Sequence, residues 1–156
     1  MSELRPQIKI HHTNLPSPLP SSPSFQFQLT RLTSTLVVWV GAGPPTQLGE
    51  EVSIIAGGEK KLASDWSVAM PARGNIPVTA TPIFRSGASD IALPMSQRLA
   101  RKFPSNQIHL SLSLPPSLTS QSGPSLDPYA SKVLLAMEKK LGNWLSEVLK
   151  EERGQV

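Results

Sequence analysis

At 156 residues, with 17% charged positions and a net charge of +4, the chain has room for one domain built around one core. It has no cysteine, which excludes disulfides and thiol chemistry and makes an intracellular address the expectation. Its longest apolar run, LVVWV, is far below the ~18 residues of a membrane helix, and the opening MSELRPQIKIHH lacks the apolar centre of a signal peptide.

QIKIHH (7–12) reads as a short N-terminal strand. PSPLPSSPS (16–24) follows, with four prolines in nine residues and no charge, and reads as a surface loop. Residues 1–24 therefore stand apart as a short strand with a Pro/Ser-rich segment, ahead of a single domain at 25–152 and a tail at 153–156. FQFQLTRL (25–32) places Phe25, Phe27 and Leu29 on one face and Gln26, Gln28 and Thr30 on the other, the pattern of a half-buried strand. LVVWV (36–40) is apolar at every position and β-branched, as in a central strand. The short connection between these two strands predicts an antiparallel hairpin turning at Thr33-Ser34. A loop with PP, GG and EKK punctuation runs over 43–63.

DWSVAM (65–70) and PVTATPIF (77–84) are further strands, the second kept to a sheet edge by Pro77 and Pro82. A helix is predicted over 92–103, with Met95, Leu99 and Phe103 at four-residue spacing and Pro94 in its first turn. IHLSLSL (108–114) alternates again, and a Pro/Ser-rich loop occupies 115–126. The last helix has Asp127 as N-cap and Pro128 at its first position. Its stripe of Tyr129, Val133, Met137, Leu141, Trp144 and Val148, widened by Leu134 and Leu145, runs to about Glu152. The expected class is α+β: a mostly antiparallel sheet of about five or six strands, two helices on one face, and the other face open to a partner.

The run LVVWVGAGPP (36–45) resembles a strand entering a phosphate loop, but the dinucleotide fingerprint needs a third glycine where Thr46 stands. Pro44 and Pro45 also remove two of the N–H donors that would hold a pyrophosphate. No cofactor is expected. SGASD (86–90) lacks the glycines that flank a nucleophilic serine. Adjacent His11 and His12 point to opposite faces of a strand and His109 stands alone, so no metal site is expected. Asp65, Asp90 and Asp127 sit at element boundaries, where capping or turn formation accounts for them. The chain reads as a non-enzyme.

The basic cluster RLARK (98–102) allows an acidic partner. Nucleic-acid binding would need exposed aromatics among the cations, yet Phe25, Phe27, Trp39, Phe103 and Trp144 fall on expected core faces. A basic nucleic-acid-binding or small-ligand-binding α+β domain is the alternative reading. The positive clue lies in LVVWV: Val37 and Trp39 share one face, Leu36, Val38 and Val40 the other. Two helices cover one such set, which leaves the second as an apolar patch suited to a protein interface unless a loop such as VSII folds over it.

RLTSTLVVWVGA (31–42), IPVTATPI (76–83) and SQRLARKFPSNQIHLSLSL (96–114), in that order, resemble the fourth member of the proteasome assembly chaperones. Matching stretches cover about 25–42 and 64–114, and the departures at 43–63, before Phe25 and before Asp127 fall in expected loops. The resemblance implies a non-catalytic factor that pairs sheet to sheet with the third assembly chaperone. The heterodimer would support formation of the 20S α-ring by binding near α5, in the cytoplasm with the nucleus also allowed. On that basis Val37 and Trp39 become the dimer-face candidates, and Arg98, Arg101 and Lys102 the candidates for an acidic partner surface. Neither nucleic acid nor membrane is an expected partner.

Overall fold

The computed structural model describes residues 8–45, 62–86, 90–119 and 128–154. Six strands form one sheet: β1 (Lys9–Leu15), β2 (Ser24–Leu32), β3 (Thr35–Gly43), β4 (Asp65–Met70), β5 (Thr79–Arg85) and β6 (Gln107–Ser113), in the spatial order β1-β2-β3-β6-β4-β5. All neighbours are antiparallel except β3 and β6. The α+β class is therefore observed, with β3 near the middle and β5 at an edge, where its proline is tolerated.

Thr33 and Ser34 form the expected turn between β2 and β3; Ser34 takes a φ of 55°, which lets so short a connection close, and its carbonyl accepts a hydrogen bond from the Gln107 amide at 2.9 Å. On one face of the sheet Phe25, Phe27 and Leu29 align with Leu36, Val38 and Val40 and with Ile108, Leu110 and Leu112, all buried. Two long helices cover this face. The first, α1 (Ala92–Lys102), packs over β4, β5 and β6 through Ala92, Met95, Leu99 and Ala100. The last, α3 (Ala130–Gly154), buries Val133, Met137, Leu141, Leu145, Val148 and Leu149, with the Trp144 ring 5.9 Å from that of Phe27. Burying each large apolar side chain is worth about 1.5–3 kcal/mol, so the stabilisation is concentrated on this face.

Some expectations need correction. The stretch at 115–125, read as surface loop from its Pro/Ser composition, contains a short helix, α2 (Pro116–Thr119). Its one large apolar residue, Leu118, is 2% exposed in the core, and that single contact is invisible to composition. Tyr129, placed in the apolar stripe of the last helix, is exposed, because the helix begins only at Ala130. The N-cap assigned to Asp127 and most of the loop at 43–63 lie outside the described residues.

The C-terminal end of α3 is held to β1 and β2 by a buried carboxylate. Glu152, 7% exposed, takes a hydrogen bond from His11 Nε2 at 3.0 Å, pairs with Arg31, and has Lys9 Nζ at 3.8 Å. Three basic groups from two strands thus compensate one acid on a helix, which is what a carboxylate in such a place requires.

Candidate partner-binding surface

Alternation makes the second sheet face out of the remaining residues. The register sets Gln28, Trp39, Ser111, Trp66 and Phe84 in one row across β2, β3, β6, β4 and β5. Thr30, Val37, His109, Val68 and Thr81 make the next. Among the described residues no helix covers either row. Val37, Trp39, Trp66 and Val68 are half-buried by their neighbours, while Phe84 is 49% exposed and Met70 43%. Ile10, opposite Thr30 on β1, extends the apolar band to the far edge.

Strand β4 is built inside out. Its small and polar residues, Asp65, Ser67 and Ala69, face the core; its large apolar ones, Trp66, Val68 and Met70, face away from the helices. The cause lies in α1, which approaches β4 closely through small residues. Ser67 Oγ donates to the Ala92 carbonyl at 2.8 Å and lies 2.7 Å from Ser96 Oγ, while Asp65 Oδ2 accepts from the amides of Ile91 and Ala92 at 3.0 and 2.9 Å. Asp65 therefore caps α1 from a neighbouring strand, satisfying donors at a helix start that carries no side-chain cap of its own.

Trp39 lies on this open face and not in the core where the other aromatics place it by pattern. Its indole folds back over Gly41, two residues along on the same side: a Cβ at Gly41 would stand 2.1 Å from the ring. The first glycine of GAG thus makes room for a tryptophan. Gly41→Ala is expected to lift the indole off the sheet, seen as a red shift and greater quenching of tryptophan emission than in the wild type. The strand end is tied to β2, with Ser24 Oγ donating to the Pro44 carbonyl at 2.8 Å.

Two of the polar groups within this band bear on stability. The indole N–H of Trp66 is buried and finds no acceptor among the described residues, and an unsatisfied donor of this kind costs about 1–3 kcal/mol. His109 stands between Val37 and Val68, and burial lowers its pKa. The unfolded chain then binds the proton more readily than the folded one, so stability is unaffected well above the ordinary histidine pKa and falls as pH drops below it. Denaturation at about pH 7.5 and about pH 5.5 should show a smaller acid loss for His109→Gln than for the wild type; equal losses would remove His109 from the account.

The basic candidates lie on the opposite side of the sheet from Val37 and Trp39. Arg98 is already engaged: its Nε and Nη2 donate to the two carboxylate oxygens of Glu138 at 2.6 and 2.8 Å, tying α1 to α3, and that hydrogen bonding raises its pKa. Arg101 is exposed, and Lys102 reaches across Gly142 of α3. Sequence reasoning missed Ile10, Trp66, Val68, Met70 and Phe84 on the open face. The alternation in DWSVAM carried the signal, but only for a reader willing to turn its polar side inward. Among the described residues no group of three or more His, Asp or Glu side chains could hold a metal ion, and no helix is long and apolar enough to cross a membrane.

The sequence pattern of proteasome assembly chaperone 4 matches residues 24–114, the span from the start of β2 to just past β6. The chain belongs to that family. No curated protein matches it. The proteasome assembly chaperone 4 core therefore contains the whole open face except the contribution of β1, while β1 and α3 flank it. Family membership makes this chain a proteasome assembly chaperone with proteasome-related partners, and implies binding in place of catalysis.

Proposed function

We propose that this chain pairs with the third proteasome assembly chaperone through its open sheet face, and that the heterodimer supports α-ring formation by binding near α5 in the cytoplasm. The observation that carries the reading is β4: a strand that turns Trp66, Val68 and Met70 away from its own helices needs another surface to cover them. A second sheet is the natural cover, since two apolar sheet faces interdigitate at ~10 Å. The helical side then stays free for the α subunit, with Arg101 and Lys102 available for an acidic surface and Arg98 committed to Glu138.

Native mass spectrometry of the chain alone, with the third assembly chaperone, and then with α subunits tests each step. A one-to-one complex that captures α5 in preference to other α subunits is the expected result. A folded chain that ignores the third assembly chaperone overturns the pairing, and a heterodimer that takes no α subunit overturns the α5 step alone. Charge reversal at Arg101 and Lys102 that left α-subunit capture unchanged would remove the basic cluster from the contact.

A further inference from the structure

On the helical side, the last turn of α1, the connection into β6 and the last turns of α3 enclose a groove of about 190 Å³. Phe103 and Leu149, both 8% exposed, form an apolar floor, and Lys102, Lys150 and Arg153 stand at its walls. Among the described residues no acidic side chain lines it. None of the three cations is ion-paired among the described residues, although Arg98 on the same helix and Arg31 nearby in the fold both are. Of the four acids of α3, Glu138 pairs with Arg98 and Glu152 with β1 and β2, while Glu147 and Glu151 are exposed and do not line the groove.

We propose that this groove docks an acidic peptide segment of a partner protein, with carboxylates on Lys102, Lys150 and Arg153 and one apolar side chain against Phe103 and Leu149. Charge complementarity selects the occupant. Three cations with no ion pair among the described residues, set around an apolar floor, offer an acidic-hydrophobic segment what it needs and give a neutral ligand nothing to orient it. The volume suits a side chain or two and lies below the range of ~300–1,000 Å³ typical of small-molecule pockets. A nucleic acid would want an exposed ring to stack on, whereas Phe103 is buried beneath Lys102, whose Nζ lies 5.9 Å from the ring centroid. The groove and the open sheet face lie on opposite sides of the sheet, so both can be occupied at once, and the groove's occupancy does not depend on the pairing proposed above.

The test is fluorescence anisotropy with the full chain and a short labelled peptide bearing Asp and Glu on both sides of one Leu. The comparison ligands are the same peptide with Asn and Gln in place of the acids, and a single-stranded oligonucleotide. Expected are saturable binding of the acidic peptide that weakens with added salt, and a loss of about tenfold or more in the Lys150→Glu, Arg153→Glu variant. Both positions are exposed, and an unchanged circular dichroism spectrum confirms the fold. Reversal of Lys139 and Lys140, exposed on the same helix, should change affinity by less than about twofold. Absence of peptide binding, equal binding of the neutral peptide, an equal loss on reversing Lys139 and Lys140, or preference for the oligonucleotide would each overturn the proposal.

Discussion

Trp66→Glu should weaken pairing with the proposed partner chaperone severely while leaving the chain folded. Trp66 sits in the same row as Trp39, with Ser111 between them and Phe84 beyond, and its side chain faces away from both long helices. Truncating a central aromatic of an interface typically costs 2–4 kcal/mol, and a buried unpaired carboxylate adds its own desolvation. At 1.4 kcal/mol per decade the complex should weaken by at least about 30-fold. The cost to the monomer is smaller, since the variant removes half-buried apolar surface and the Trp66 N–H that finds no acceptor among the described residues. Pairing measured by native mass spectrometry, alongside thermal melting of the chain alone, separates the two effects. Intact pairing with a stable Trp66→Glu chain would show that the open face is not the interface.

The second large effect belongs to stability. Asp65→Ala removes the acceptor for two amides at the start of α1 from a site that is 2% exposed. Helix caps are worth about 0.5–2 kcal/mol and hydrogen bonds to a charged group about 1.5–3, so a loss of about 2–3 kcal/mol is expected. For a domain of this size that corresponds to a melting point lower by about 4–12 °C. Asp65→Asn keeps an acceptor and the shape but loses the charge opposite the helix start, so it should fall between. Calorimetry of the three chains checks the order. A wild-type-like Asp65→Ala would mean that water replaces the carboxylate at no cost.

The contrast between β2 and β4 shows how far the sequence is legible. In β2 the apolar residues at alternate positions meet the helices, so Phe25, Phe27 and Leu29 announce the core directly. The same rule places Leu36, Val38 and Val40, Ile108, Leu110 and Leu112, and the stripe of α3. In β4 the rule inverts, because Ser67 and Asp65 are needed by α1 at short range and because the open face keeps the bulk. A pattern reader sees alternation there but not its sense, which is set by a helix more than twenty residues downstream. Val37 and Trp39 were legible because their strand is apolar on both sides and only one side finds helices.

Long-range charges were the other blind spot. Arg98 reads as a free cation in RLARK, and only the fold shows Glu138, forty positions on, accepting from its Nε and Nη2. His11 reads as a polar strand residue until Glu152, 141 positions away, supplies its partner. Neither contact leaves a local spacing to detect. Leu118 is the apolar version of the same limit: one buried leucine in a stretch of prolines and serines.

The ring of basic groups around Glu152 ties the two ends of the chain together. Lys9 and His11 come from β1 and Glu152 from the end of α3, segments on either side of the span shared with the family, while Arg31 lies within it. A chain without β1 would lose two of the three basic groups around Glu152 and keep Arg31, and an apolar residue would then serve better at that point of the helix. The first strand and the last helical turn thus depend on each other for their charge balance, although nearly the whole chain separates them.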